Sequence, residues 1–461
     1  MIKINEPETI TAVATPDGEG AIGVIRISGP RAFAILKAIF HPRKKADGEM
    51  SPFHLYRGWI KNGAEEIDDA MVAVMKKPRS YTGEDMVEIY SHGGRAVSAA
   101  LLNAVIARGA RPAEPGEFTR RAFLNGKMDL TRAESVAWLI SARSEAELKC
   151  AVGQLKGDLR ERLLEIKREL VRALSLVEVT LDFDEYENIL LPSEEIKEIA
   201  ERALAGLKKL HRQARAGSCL RDGIRVVIVG KPNVGKSSLL NTFLSQKRAI
   251  VSHQPGTTRD TIEEVIRLDG IPLRLIDTAG IRPPRGEIER EGVNRAKEKV
   301  RVSDLVLLVL DSGTRISKDD LEILRLAREK RALLVINKSD LPERVDLDRI
   351  RHELHRRKVI KISAARNWGI ERLREEIIAL IREDFMGGES AGVMISHRRK
   401  EALGAASRSI EHALLSLDQK LSGEFIALDL NRALGEVRRV LGEEYGDEVL
   451  DEIFSRFCVG K

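Results

Sequence analysis

Gly230-Lys231-Pro232-Asn233-Val234-Gly235-Lys236-Ser237 has the spacing of a loop that wraps phosphates, G-x-x-x-x-G-K-[ST]. It follows an apolar run and precedes a helical pattern. Its backbone N–H groups should therefore converge at a helix amino terminus, where anionic oxygens are favoured. In such a loop Lys236 reaches the terminal phosphates and the Ser237 hydroxyl ligates Mg²⁺. Asn233, Val234, Gly235 and Ser238 complete the expected nucleotide contacts.

Further elements follow in order along the chain. Asp277-Thr278-Ala279-Gly280 matches D-x-x-G after a strand pattern, with Asp277 acting on Mg²⁺ through water and the Gly280 N–H placed to sense a γ-phosphate. Asn337-Lys338-Ser339-Asp340 matches N-K-x-D. The Asp340 carboxylate can accept from the ring N–H and the exocyclic amine of guanine. Adenine lacks that donor pair, and an unpaired buried carboxylate is costly, so GTP rather than ATP is expected. Ser363-Ala364, after the last strand pattern, supplies a backbone contact to the base edge. Gly256-Thr257-Thr258-Arg259-Asp260 occupies the place of a switch loop, with Thr258 as a second Mg²⁺ ligand. Many GTPases orient the attacking water with a glutamine just after D-x-x-G; here that position is Ile281. Glu287, Glu289 and Glu291 lie close by, as candidates for that role or as an acidic helix start.

These loops need strand ends to carry them. Strands are predicted at Arg225–Val229, Leu273–Ile276, Leu305–Leu310, Leu333–Ile336 and Val359–Ile362, with helical crossovers between them, which implies a mostly parallel sheet. Before this segment, residues 1–118 mix short β runs (Ala21–Ile27, Ala70–Met75, Met86–Tyr90) with glycine turns, as in a compact α+β domain. From Leu148 to Leu181 apolar residues recur every three or four positions, predicting one long helix. A second helical pattern runs through Ile196, Ile199, Ala203, Leu207 and Leu210, and residues from His397 to Phe457 read as helical again. The expected architecture is multidomain, α/β and α. An α+β amino-terminal domain covers 1–118, and a helical domain comes from 119–222 and 384–461. A Ras-like P-loop GTPase domain, 223–383, is inserted within the helical one.

The 461 residues carry a formal charge of +6, which accommodates an anionic partner without demanding one, because 71 acidic residues nearly offset 77 basic ones. The three cysteines, Cys150, Cys219 and Cys458, are widely spaced, which argues against a disulfide framework or a zinc site and fits a reducing compartment. Neither a secretion signal nor an apolar run of membrane-spanning length is present, so a cytoplasmic protein without membrane attachment is expected.

Beyond the nucleotide loops, several strings carry a resemblance that spans essentially the whole chain. They are Thr15–Gly18, Arg26–Gly29, Tyr81–Asp85, His92–Gly94, Pro115–Phe118, Arg121–Lys127, Gly256–Asp260 and the terminal Phe457-Cys458-Val459-Gly460-Lys461. Together they resemble the MnmE (TrmE) family of tRNA modification GTPases. The resemblance implies a homodimer that works with an FAD-containing partner protein, in a heterotetramer, to build a carboxymethylaminomethyl-type group on C5 of the wobble uridine of certain tRNAs. It implies a one-carbon donor, 5-formyl- or methylene-tetrahydrofolate, bound through Arg26, Glu88, Lys127 and Lys461. Basic side chains suit a glutamate tail, and a carboxylate suits a pterin's donor edge. It implies K⁺ in place of an arginine finger, with ligands at Asn233, Ser252, Gln254 and Thr257, where the family more often has threonine at position 252. Glu289 matches the glutamate that orients water, which resolves the absent glutamine. Cys458 is read as a catalytic thiol near the folate, its thiolate favoured by Arg456 and Lys461. Two other readings compete: a regulatory GTPase of ribosome assembly that binds RNA without modifying it, and a purely structural dimeric switch. The amino-terminal strings and the cysteine tail discriminate against the first, and binding of 5-formyl-tetrahydrofolate to the amino-terminal part, ending near Phe118, would separate the second.

Overall fold

The computed structural model describes residues 8–43, 50–187, 192–245, 264–276, 298–326, 328, 330–346, 358–385 and 392–461. By its internal contacts the chain divides into two compact units, one of Met1–Ser141, Val152–Leu204 and Ala402–Lys461, the other of Ala142–Ala151 and Ala205–Glu401.

The amino-terminal part is built on β1 (Ile10–Val13), β2 (Ile22–Ser28), β3 (Phe40–Pro42), β4 (Leu55–Asn62), β5 (Glu65–Met75), β6 (Met86–His92) and β7 (Arg111–Pro112). They form a seven-stranded sheet in the order β3-β4-β5-β6-β2-β1-β7. Neighbours are antiparallel except β1 and β7. Inward positions such as Ile25, Ile27, Val72, Val74, Val87 and Ile89 alternate with more exposed ones, as a sheet with one covered face requires. Helices α1 (Ala32–Ile39) and α2 (Arg95–Ile106) contribute Ile35, Leu36, Leu101 and Val105 to the same core. The strands predicted at Ala21–Ile27, Ala70–Met75 and Met86–Tyr90 are β2, the end of β5 and β6. Sequence reading did not single out β1, β3, β4 or β7.

Helices α3 (Glu117–Leu124), α4 (Leu130–Ser141), α5 (Glu145–Lys156), α6 (Asp158–Glu187) and α7 (Ser193–Asp222) follow. The single long helix predicted from Leu148 to Leu181 is in fact two, α5 and α6. Gly157 adopts φ +106 between them, a conformation that L side chains rarely take. A Cβ there would lie 2.7 Å from the Arg132 guanidinium, whose Nη2 donates to the Lys156 carbonyl at 3.0 Å. The apolar period survives the break from Leu159 to Val177, all buried, but Leu148 is 44% exposed.

The second sheet consists of β8 (Ile224–Val229), β9 (Glu264–Leu268), β10 (Ile271–Leu275), β11 (Leu305–Asp311), β12 (Arg331–Asn337) and β13 (Val359–Lys361), ordered β13-β12-β11-β8-β10-β9. All pairs are parallel except β9 with β10, an antiparallel edge strand absent from the sequence reading. Residues 305–310 of β11 and 332–337 of β12 are buried throughout, as expected of parallel strands covered on both faces. Helices α8 (Lys236–Ser245), α9 (Lys318–Leu326) and α10 (Ile370–Asp384) belong to this part. The chain ends in α11 (His397–Asp418), α12 (Gly423–Leu441) and α13 (Asp447–Ser455). On α12, Ile426, Leu430, Ala433, Leu434, Val437 and Val440 form the buried stripe, and this helix packs along α6. Among the described residues, no helix is long and apolar enough to cross a membrane.

Candidate functional site

The phosphate loop links the end of β8 to the start of α8, so the run of Val226, Val227 and Val229 that buries the strand also fixes where the loop begins. Within it Asn233 takes φ +65 and Gly235 φ +95. The Lys236 ammonium donates to the carbonyls of Gly230 (2.8 Å) and Lys231 (2.5 Å), which sets it over the loop. Burial, with the Lys299 cation as a second cause, lowers the Lys236 pKa to about 8. Ser237 and Ser238 open α8 with exposed side chains.

The base end lies where β12 and β13 finish. Asn337, 2% exposed, donates from Nδ2 to the Val234 carbonyl at 2.8 Å and accepts the Ala364 N–H on Oδ1 at 3.0 Å. It therefore ties the phosphate loop to the Ser363-Ala364 loop. A Cβ on Gly235 would fall 2.1 Å from the Asn337 amide, so this tie and the glycine require each other. The Ser339 N–H donates to the Ile362 carbonyl at 2.9 Å, which brings Asp340 beside Ser363. A hydrogen bond from the Ser363 side chain is the largest cause holding the Asp340 carboxyl below the usual carboxylate range. Lys338, at φ +60, forms an ion pair with Asp311 Oδ2 at 2.6 Å. Sequence reasoning missed Asp311; its available signal was an acid closing the apolar run of β11.

The structure thus brings together Asn233, Val234, Gly235, Lys236, Ser237, Ser238, Asn337, Lys338, Asp340, Ser363 and Ala364. Ser252, Gln254, Thr257, Thr258, Asp277, Thr278, Ala279, Gly280 and Glu289 lie outside the described residues. The Ile276 N–H, just before Asp277, donates to the Val226 carbonyl at 2.9 Å. Among the described residues no group of three or more His, Cys, Asp or Glu side chains could hold a metal ion.

A second constellation sits on the amino-terminal sheet. Arg26 on β2 and Glu88 on β6 are register partners joined at 2.8 Å. The Tyr90 hydroxyl donates to the other Glu88 oxygen at 2.5 Å, and the Tyr90 pKa rises to about 12, mainly from burial and then from Glu88. Period-two alternation puts Glu88 and Tyr90 on one face, a signal the sequence reading did not use. The Arg26 guanidinium lies 5.8 Å from the Tyr81 ring centroid and donates to the Gly460 carbonyl at 3.1 Å. The chain's end is thereby held against β2. Burial first, and then the Arg26 charge, lowers the Lys461 pKa; Glu88 and Cys458 oppose that shift. The tail is anchored by Phe457, packed with Leu450 and Phe454 of α13. The exposed Cys458 and Val459 line a cavity of about 830 Å³ together with Thr15, Asp17 and Arg95. Arg456, read from sequence as a cation beside Cys458, is paired with Glu452 at 2.6 Å. Lys127 donates to the Pro78 carbonyl at 2.8 Å, on the same loop as Tyr81.

Residues 9–127 match the family model "GTP-binding protein TrmE N-terminus", and residues 130–458 match the MnmE helical domain. The chain belongs to the MnmE family of tRNA modification GTPases. The MnmE of Thermotoga maritima is 43% identical over 98% of this chain and 100% of its own. That of Aquifex aeolicus is 40% identical over 98% and 100%, and that of Clostridioides difficile 39% over 98% and 99%. Among solved structures, the G domain of the Thermotoga maritima FeoB iron transporter aligns with 34% of this chain and 98% of its own at 26% identity, with a TM-score of 0.25, too low to bear on the fold. As an MnmE-family member the chain is a tRNA modification GTPase.

Proposed function

We propose that this chain hydrolyses GTP to GDP and phosphate in a K⁺-stimulated cycle coupled to homodimerisation. With an FAD-containing partner, in a heterotetramer, it adds a carboxymethylaminomethyl-type group to C5 of the wobble uridine of certain tRNAs, using the one-carbon unit of a tetrahydrofolate. Lys236 places positive charge against the terminal phosphates, Ser237 and Thr258 hold Mg²⁺, and Asp340 reads the guanine edge. Asn233, Ser252, Gln254 and Thr257 hold K⁺, which supplies transition-state charge, while Glu289 orients water. Arg26, Glu88, Lys127 and Lys461 receive the folate, with Cys458 beside it. In this reading the GTPase domain, 223–383, is an insertion in the helical domain, and 1–118 is the folate-binding and dimerisation domain.

The observation that carries the folate reading is the convergence of Arg26, Glu88 and Gly460 on one spot, with Lys461 half-buried beside them. An exposed arginine–glutamate pair gains little on its own. This pair is largely shielded and also fixes the chain terminus, as a charged ligand pocket requires. Two measurements test the proposal. GTP turnover should be faster in KCl than in NaCl at matched ionic strength, and equal turnover contradicts the K⁺ assignment. Mass spectrometry of tRNA from cells lacking the protein should show wobble uridines without the C5 group; their persistence contradicts the modification reading.

A further inference from the structure

We infer that Asp320 is a positioning residue for nucleotide binding, acting through Lys231 on the phosphate-binding lysine; the inference rests on reading the loop as a GTP site. Lys231 follows the loop's first glycine, at a position the motif leaves unspecified. Its ammonium stands 2.7 Å from Asp320 Oδ2, and the Asp320 side chain is only 7% exposed. That carboxylate is already fixed by its own helix. Oδ2 accepts the Ser317 N–H at 2.9 Å and the Ser317 hydroxyl at 3.1 Å, while Ser317 Oγ accepts the Asp320 N–H at 3.4 Å. This reciprocal cap at the start of α9 orients the acid independently of the lysine.

Lys231 joins two bonds in one residue. Its side chain meets Asp320, and its carbonyl accepts the Lys236 ammonium at 2.5 Å. Displacing the Lys231 side chain therefore moves the carbonyl that aims Lys236. A charge-assisted hydrogen bond with a buried acid is among the stronger polar contacts, and removing one partner leaves the other without its counter-charge. Asp320 reaches the loop through the Lys231 ammonium, so its effect is on where the loop sits.

The test uses the full chain, with fluorescent GDP titrations and steady-state GTP hydrolysis for D320N, D320E, K231M and D320N/K231M. All are read where each variant's melting curve is still flat. D320N and K231M should each raise the Kd for GDP and the KM for GTP about tenfold, with a smaller fall in kcat. D320E should recover part of the loss. The double variant should be no worse than either single one, because both remove the same contact. K231M leaves the Ser317–Asp320 cap in place and carries the test should D320N melt. Values within twofold of the unaltered protein, or losses that multiply in the double variant, overturn the inference. An unaltered protein without measurable affinity for GDP or GTP would instead sink the reading of the loop.

Discussion

Two charged sites in this chain are built in opposite ways. In the nucleotide site, the groups meant for phosphate and base leave the ends of parallel strands, and main-chain atoms do much of the bonding. Lys236 is held by two carbonyls, and Asn337 links a carbonyl to an N–H. Around Arg26, side chains of adjacent antiparallel strands meet face to face, and the site closes only when a carbonyl 434 positions away arrives with the tail. Both sites keep a lysine partly dehydrated. Each has a second depressing charge, Lys299 for Lys236 and Arg26 for Lys461, but at Lys461 Glu88 and Cys458 oppose the shift. A site made of main-chain geometry tolerates almost no change at its glycines. A site made of paired side chains can be altered one charge at a time.

The contrast is broken most severely at Gly235. Gly235→Ala forces a Cβ to 2.1 Å from the Asn337 amide at φ +95. It should weaken GTP binding by about a hundredfold or more and lower stability by roughly 2–4 kcal/mol, read from nucleotide titration and denaturant midpoint. An alanine variant with ordinary GTP affinity would show that the Asn337 tie is dispensable. A middle-sized effect is expected at the other site. Glu88→Gln should weaken tetrahydrofolate binding about tenfold while GTP affinity stays within twofold. It should also lower the Tyr90 pKa from about 12, though not to 10.0, because burial is the larger cause of that shift. Tyrosinate absorbance follows the titration, and an unmoved Tyr90 would remove Glu88 from the account.

The smallest effect is one of pH. Lys236 titrates near 8 rather than at the ordinary 10.5. Phosphate favours the ammonium, so affinity for GDP should fall as pH rises through about 8, by at most about tenfold per unit, with proton uptake on binding. The sign for stability is the reverse. Between about 8 and 10.5 the unfolded chain holds the proton that the folded chain has lost. The penalty of burying this charge is therefore full below about 8 and is relieved as pH rises. A GDP affinity flat from pH 7 to 9, measured by isothermal titration, would contradict the assignment.

How much was legible follows the same division. The strands under the nucleotide loops were readable because β11 and β12 are continuous apolar runs and each motif stands at a strand end. The edge strand β9 was not, since Glu264-Val265-Ile266-Arg267-Leu268 is short and does not alternate between apolar and polar residues. The α5–α6 break escaped because a helical period can continue across one left-handed glycine. In the nucleotide site, Asn337 was legible only as the first residue of N-K-x-D; its bonds to Val234 and Ala364 depend on neighbours that only the fold brings near. Arg26 and Glu88 came from resemblance alone, and their pairing was not legible. Nothing in spacing tells which residue of β6 faces Arg26, because register is a property of two strands together.

The central claim, that Asp340 beside Ser363 selects guanine, is tested most directly by competition. Fluorescent GDP bound to the full chain is displaced with GTP, ATP and xanthosine triphosphate, for the unaltered protein and for Asp340→Asn. The unaltered protein should prefer GTP over ATP by at least about a hundredfold. The variant should turn toward xanthosine triphosphate, whose 2-carbonyl accepts from an amide where guanine's amine needed a carboxylate. Equal displacement by ATP and GTP, or a variant that keeps its preference for GTP, contradicts the account.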